Sequence, residues 1–305
     1  MTREELNQEI QDEIFKEEHK EFRKKLIKNI IKWVFILAVV FFLFYLYVIN
    51  FSTIGFIIKE NRIINEKIPD DYNGLKIVQF SDLHYGSTIY EDELKKIVSL
   101  INKTEPDIVV FTGDLIDPKY KLKNKEREKI IKELSKIDSN IGNYAVLGDE
   151  DGDDFITILN QSNFTILNNT YELVYNDNNN PILLAGVSYS KDESVYYKAY
   201  SYFEEPEHNS NIYTITLIHQ PDTIIDLKDR FMSDLYLAGH SHNGNIRIPY
   251  VGSLINKKGA RTYHNEYHSV DGKPLYISSG LGTNSKLKAR LFCRPSISLF
   301  RLSNK

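Results

Sequence analysis

The chain has 305 residues and a formal net charge of −4, and 42% of its residues are hydrophobic. These proportions are ordinary for a globular protein and exclude a mainly disordered or collagen-like chain. The near-neutral charge gives no indication of a nucleic-acid partner. The single cysteine, Cys293, excludes an intramolecular disulfide and a cysteine-rich metal site.

The first 32 residues form a leader that is acidic at its start and basic at its end. Residues 1–22 contain eight Asp and Glu but only three Lys and Arg, and five Lys and Arg follow between residues 23 and 32. Apolar residues recur every three to four positions, as in Leu6, Ile10 and Ile14, which predicts a helix with a thin apolar stripe. We interpret it as a solvated helix, with a partner-binding coiled coil as the alternative.

Residues 33–58 contain no charged side chain. With its flanks, the core WVFILAVVFFLFYLYVI reaches the roughly 20 residues that cross a bilayer. Trp33, Tyr45 and Tyr47 fit interfacial anchors near its two ends. We therefore predict a transmembrane anchor over 33–58, with a buried core helix as the alternative.

The basic residues around this segment predict its orientation. Seven Lys and Arg lie between residues 16 and 32, whereas three lie in the comparable stretch beyond the segment. The positive-inside tendency then places the N-terminus in the cytoplasm and residues 59–305 outside the cell membrane. A cleaved signal peptide is the alternative, but VINFSTIG lacks the usual small-residue cleavage site.

After the anchor, short apolar runs alternate with amphipathic segments. Strand–helix–strand units at this spacing indicate parallel pairing with right-handed crossovers, so we predict one α/β domain over 59–305. The predicted helices cover residues 91–103 and 126–137. The predicted strands cover residues 75–80, 107–112, 143–148, 182–187, 213–219, 235–238, 275–278 and 297–302.

Acidic residues and histidines follow five of these strands directly. Each group alone is typical of an ordinary turn, but ligands of open α/β sheets bind outside the carboxyl ends of the strands. Carboxylates and imidazoles without thiolates suit Mn²⁺, Fe or Zn²⁺, and a carboxylate between two such sets can bridge two cations. The residues are Asp82 and His84; Asp114 and Asp117; Asp149, Glu150 and Asp151; His219; and His240 and His242.

In this order the motifs resemble those of the calcineurin-like metallophosphoesterase superfamily, over about residues 75–302. GLKIVQFSDLHYG, AGHSHNGNIRIPYVGS, LYISSGLGTN and PSISLFRL are similar to segments of its bacterial membrane-anchored branch. The resemblance implies a four-layer α/β/β/α sandwich of two mixed sheets flanked by helices. It also implies a metal-dependent phosphoric ester hydrolase with two divalent metal ions.

The resemblance also implies a role for each residue. A hydroxide between the two metals would attack phosphorus in line, Asp117 would support the site from outside the ligand set, and Arg290 would contact the substrate. We interpret Lys258, Arg261 and Arg294 as surface charges, with a contact to substrate phosphate as the alternative. The implied ligands are Asp82, His84 and His242 for one metal, Asp149, His219 and His240 for the other, and Asp114 as the bridge.

The third motif departs from the family pattern. The family has Gly-Asn-His-Asp where this chain has Gly148-Asp149-Glu150-Asp151, so an anionic ligand replaces a neutral one and Glu150 replaces a histidine that stabilises the transition state. Glu150 and Asp151 are the candidate catalytic residues. We predict a hydrolase of phosphodiester or pyrophosphate bonds in lipid-linked or envelope-linked substrates. The alternative is a catalytically weakened metal-binding module with a binding or sensing role.

Overall fold

The computed structural model describes residues 2–50, 55–190, 192–208, 210–228 and 231–305. The chain divides into two compact units, Met1–Phe51 and Ser52–Lys305. Each unit is described separately below.

The first unit is one long helix, α1 (Arg3–Asn50), so the predicted leader and the apolar segment are continuous. Its stretch Leu6–Val48 is long and apolar enough to cross a membrane by length and composition. Residues 51–54 of the predicted span lie outside the described residues. The predicted limit at residue 58 is wrong, because the first strand already begins at Ile57.

The second unit alternates strands and helices. The remaining helices are α2 (Glu91–Asn102), α3 (Asn124–Leu134), α4 (Asp153–Asn160) and α5 (Ile224–Leu227). The strands are β1 (Ile57–Ile64), β2 (Lys76–Phe80), β3 (Ile108–Phe111), β4 (Gly142–Ala145), β5 (Phe164–Ile166), β6 (Thr170–Val174), β7 (Ile182–Val187), β8 (Thr214–Ile218), β9 (Leu235–Ala238), β10 (Arg247–Ile248), β11 (Gly252–Ser253), β12 (Tyr267–Val270), β13 (Lys273–Ile277) and β14 (Ser296–Ser303).

Two six-stranded sheets organise the second unit. The first has the order β1-β14-β2-β3-β4-β5, and the second has the order β12-β13-β9-β8-β7-β6. In the first sheet β14 is antiparallel to β2, and in the second β12 and β6 are antiparallel to their neighbours. Both sheets are therefore mixed, as the resemblance implies, and β10 and β11 form a separate small hairpin.

Three apolar clusters separate four layers. Alternate residues of a strand point to opposite faces of its sheet, so in β3 Val109 packs in the cluster that contains α2, α3 and α4, whereas Val110 packs in the cluster between the two sheets. On the other side of the second sheet, Ala185 packs in a third cluster with Tyr200 and Leu227. This is the predicted α/β/β/α arrangement, with the 3₁₀ segment Glu193–Glu204 and α5 as the last layer.

The second unit contains a complete core of its own. Every residue of the three clusters, including the partly buried residues at their edges, lies between Phe56 and Leu302. A chain of residues 52–305 therefore retains all of the apolar contacts that stabilise this unit.

Candidate metal centre

The seven predicted ligands lie just beyond the carboxyl ends of β2, β3, β4, β8 and β9, where the two sheets meet. Five of them have a positive φ, between 42° and 65°. This backbone conformation costs a non-glycine residue about 1–2 kcal/mol, and it persists only where the surroundings enforce it, often at functional sites. The five residues are Asp82, His84, Asp114, His240 and His242.

Asp82, His84 and His242 form the first cluster, and all three are buried. The Nε2 atoms of the two histidines are 3.1 Å apart. His242 Nε2 lies 3.1 Å from Asp82 Oδ1, and His84 Nε2 lies 4.0 Å from the same oxygen. The backbone N–H of His240 also donates to the Asp82 carboxylate, which connects the loops after β2 and β9.

Asp149, His219 and His240 form the second cluster. Asp149 Oδ1 lies 3.1 Å from His219 Nε2 and 3.0 Å from His240 Nδ1. Asp114 lies between the clusters, because its Oδ2 is 3.4 Å from His219 Nε2 and 3.7 Å from His84 Nε2. The structure thus brings all seven predicted ligands together in two groups around one shared carboxylate.

Hydrogen bonds to backbone carbonyls orient two of the imidazoles. His219 Nδ1 is 2.6 Å from the carbonyl oxygen of Thr112, and His240 Nε2 is 2.7 Å from that of Lys258. A nitrogen that donates to a carbonyl leaves the other ring nitrogen as an acceptor, and here that nitrogen faces the cluster. Buried carboxylates together with inward-facing imidazole nitrogens fit divalent metal ions.

The buried charges perturb one another strongly. Burial alone would raise the pKa of Asp82, but the adjacent imidazoles, His242 foremost, hold it well below its ordinary value. Burial opposes the charged form of His219 too, yet the Asp114 carboxylate raises the pKa of His219 well above its ordinary value. Burial and the positive charge of Lys257 lower the pKa of His242 to about 3. Buried titratable groups that perturb one another beside a cleft are typical of functional sites.

Glu150 occupies the place of the family histidine. Both of its carboxylate oxygens accept hydrogen bonds from Asn284 Nδ2, at 2.7 and 2.9 Å. Its Oε2 lies 3.3 Å from His84 Nδ1, the ring nitrogen that faces away from the cluster. Glu150 therefore pairs with the outer side of a predicted ligand, and it also lines the adjacent cleft.

Asp151 and Asp117 hold the backbone of neighbouring loops. The half-buried Asp151 accepts hydrogen bonds through its carboxylate from the N–H groups of Asp114, Leu115 and Gly148. Burial and the charge of Asp114 raise its pKa to about 7, while the three N–H donors act in the opposite direction. This position does not fit the predicted catalytic role of Asp151. Asp117 accepts hydrogen bonds from the N–H groups of Lys119 and Ser285, and its role in supporting the site stays a prediction.

Arg290 is fully buried behind the first cluster. Its guanidinium donates to the carbonyl oxygens of Ser279, Gly280, Gly282 and Cys293, and its Nη2 lies 3.4 Å from His242 Nδ1. Because these groups surround it and it does not line the cleft, the arrangement does not fit the predicted contact with substrate.

A cleft of about 380 Å³ opens beside the second cluster. Asp114, Asp149, Glu150 and His240 lie on its inner side. Lys258, which the sequence predicts to be a surface charge, also lines the cleft. Lys257, Asn284 and Lys286 line it as well, and the sequence does not predict them as site residues because none of them directly follows one of the five motif-bearing strands.

Comparison with known proteins agrees with this geometry. The calcineurin-like phosphoesterase family matches residues 75–272. The chain is 28% identical over 257 residues to the metallophosphoesterase YkuE of Bacillus subtilis, covering 80% of this chain and 85% of that protein. It is 32% identical over 232 residues to the metallophosphoesterase Cj0846 of Campylobacter jejuni, covering 73% of this chain and 58% of that protein.

A third relative has a more specific name. The chain is 25% identical over 281 residues to the UDP-2,3-diacylglucosamine pyrophosphatase LpxG of Chlamydia muridarum, covering 75% of this chain and 84% of that protein. With more than half of its residues matched, the chain belongs to the calcineurin-like phosphoesterase family.

Proposed function

We propose that the protein is a membrane-anchored, metal-dependent hydrolase of phosphodiester or pyrophosphate bonds. The observation that carries this proposal is the convergence of seven buried or half-buried ligand side chains in two groups that share Asp114. In this proposal the leader, residues 1–32, is cytoplasmic. The apolar part of α1 is the anchor, and the second unit lies outside the cell membrane.

The two clusters would hold two divalent cations, with Mn²⁺, Fe and Zn²⁺ as the candidates. Such ions supply Lewis-acid polarisation of phosphoryl oxygens and make water a better nucleophile at neutral pH. The carbonyl oxygens of Thr112 and Lys258 keep His219 and His240 in the ligating orientation. Lys257, Lys258 and Lys286 at the mouth of the cleft attract an anionic substrate.

We assign Glu150 a positioning role on His84. A carboxylate beside the outer nitrogen of a ligating histidine restrains its ring and raises its basicity, and Glu150 Oε2 lies at an ion-pair distance of 3.3 Å from His84 Nδ1. Paired in this way, Glu150 does not supply the proton that a leaving group needs. General acid catalysis typically contributes about 10²–10⁴-fold, so we expect substrates with good leaving groups, such as pyrophosphates, to react fastest.

The pyrophosphatase name of the Chlamydia muridarum relative supports this substrate class, and its diacylglucosamine substrate is a lipid. The second candidate function is the metal-binding module with a sensing role. One observation favours it: Asn284 holds a carboxylate where the family has a histidine. A fixed negative charge at the cleft opposes the approach of a phosphoryl group.

The test uses residues 52–305, which retain the whole core of the second unit. We would measure hydrolysis of bis-p-nitrophenyl phosphate and of a nucleoside diphosphate ester with Mn²⁺ present, with metal occupancy determined on the same sample. The hydrolase proposal predicts turnover that is lost in His219→Ala. A fully loaded protein without turnover would instead support the sensing module, and the Asp149→Asn/Glu150→His double variant should then gain activity.

A further inference from the structure

Exposed apolar side chains gather beside the cleft. The structure describes fifteen exposed large hydrophobic residues in the second unit, and six of them lie within residues 248–255 and at position 292. Contiguous exposed apolar surface on a soluble domain is typical of an interaction site, whereas dispersed residues need no explanation. These six, which we name the hairpin patch, are Ile248, Tyr250, Val251, Leu254, Ile255 and Phe292.

The β10–β11 hairpin carries most of this patch. Tyr250 at its tip is fully exposed, and Val251 is 71% exposed. Phe292, 68% exposed, joins them from another part of the chain, because Ile246 pairs with Leu291 and the Phe292 ring lines one concavity together with Ile248 and Tyr250. The patch is thus one surface built from two segments.

The patch continues into the proposed active site. Ile255 belongs to the patch and also lines the cleft, where Lys257, Lys258 and Lys286 stand next to it. Among the residues that the structure describes, none of these three lysines forms an ion pair. An apolar and aromatic surface bordered by lysines matches the interface of a bilayer that carries negative headgroups.

The same surface lies close to the first strand of the second unit. The backbone N–H of Ile57, the first residue of β1, donates to the carbonyl of Pro295, and Ile57 pairs with Ser296. Phe292 precedes Ser296 by four residues, a distance of at most about 14 Å along an extended chain. The patch therefore lies near the point at which the chain enters the second unit. Only six residues separate Ile57 from the end of α1 at Asn50.

We propose that the hairpin patch docks on an anionic bilayer surface and holds the mouth of the cleft against the headgroup layer. A second copy of this chain would also cover apolar residues, but it would not explain the bordering lysines. The docking surface places phosphate groups of the headgroup layer within reach of the cleft. This proposal goes beyond the hydrolase proposal, and binding to a bilayer is measurable without turnover.

The test is co-sedimentation of residues 52–305, which lack α1, with vesicles. Vesicles of equal parts phosphatidylglycerol and phosphatidylcholine should bind the protein, whereas pure phosphatidylcholine vesicles and added salt should reduce binding several-fold. The triple variant Tyr250→Ser/Val251→Ser/Phe292→Ser should lower the partition coefficient at least about tenfold, because three exposed side chains lose their burial in the interface.

The matched control replaces three exposed apolar residues outside the patch, Ile64→Ser/Tyr175→Ser/Tyr267→Ser, and should change binding less than about twofold. All six positions are exposed, so both variants should fold. Hydrolysis of soluble bis-p-nitrophenyl phosphate by the patch variant should equal that of the parent protein.

Two results would overturn the proposal. One is equal vesicle binding by the patch and control variants. The other is a dimer of the parent protein in sedimentation velocity that is lost in the patch variant, with no vesicle binding by either. An inactive protein that still binds vesicles through the patch would contradict only the hydrolase proposal.

Discussion

Replacement of Arg290 tests whether this residue stabilises the backbone beside the first cluster or contacts the substrate, as the sequence predicts. The guanidinium is fully buried and donates to four backbone carbonyls, three of them in the loop 279–282 beside the first cluster. Burial lowers the pKa of Arg290, while Asp82 and Cys293 raise it. Arg290→Met retains most of the aliphatic volume and removes all of the donors.

The magnitude follows from the four carbonyls. A buried polar group without a partner costs about 1–3 kcal/mol, so four of them predict a loss of about 4 kcal/mol or more. Removal of the guanidinium also recovers its desolvation cost, which is several kcal/mol for a buried ion. Because four carbonyls at about 1–3 kcal/mol each total about 4–12 kcal/mol and several kcal/mol are recovered, we expect a net loss of about 3 kcal/mol in the free energy of unfolding.

Urea unfolding of metal-free residues 52–305 measures this loss. The matched control is Arg294→Met, because Arg294 is an exposed arginine four residues away. Its unfolding free energy should change by no more than about 0.5 kcal/mol. A stability loss below about 1 kcal/mol for Arg290→Met, together with a raised KM for bis-p-nitrophenyl phosphate, would refute the supporting role and restore the predicted substrate contact.

Two further predictions concern the ligands. His84 has a φ of 42°, so His84→Gly should be about 1 kcal/mol more stable to urea than His84→Ala; greater stability of the alanine variant would contradict enforced strain. The pKa values of His84 and His219 are raised in the metal-free protein, so a binding metal ion must displace protons from these imidazoles. The affinity of the site for metal should therefore fall as the pH falls and the imidazoles become protonated. Calorimetric titration with Mn²⁺ in two buffers of different ionisation enthalpy should show proton release, and identical heats in both would contradict it.

Sequence patterns predicted the central strands well and the edges poorly. The predicted strands over 182–187 and 235–238 agree with β7 and β9 to the residue, because both are short apolar runs in fully buried strands. β1 is not among the predicted strands. Its sequence, IIKENRII, alternates apolar and polar residues but directly follows the long apolar segment, so its first residues are indistinguishable from the end of the predicted membrane span. β10 and β11, at two residues each, are too short to show any period.

The candidate site shows a similar division. The seven ligands were predictable because each follows a strand end in a motif of fixed order. The surroundings of Glu150 were not, since Asn284 lies 134 residues further along the chain and no pattern in the sequence connects it with Glu150. The sequence predicted a substrate contact for Arg290, whereas only the structure shows that its guanidinium is buried and donates to backbone carbonyls.

The charges of the centre connect the altered third motif to the lysines of the cleft. If position 149 held the usual asparagine, the predicted ligand set would contain two carboxylates to neutralise two divalent cations. Asp149 raises the number of ligand carboxylates to three, and the nearby Glu150 adds a fourth negative charge. Such a centre attracts a phosphoryl group less strongly. The lysines at the mouth of the cleft offset this loss outside the ligand set. The same lysines border the hairpin patch. They can therefore strengthen the attraction for a phosphoryl group that is presented at an anionic headgroup layer. The change in the third motif and the position of the patch are therefore consistent with one substrate class, a phosphoester or pyrophosphate presented at the membrane.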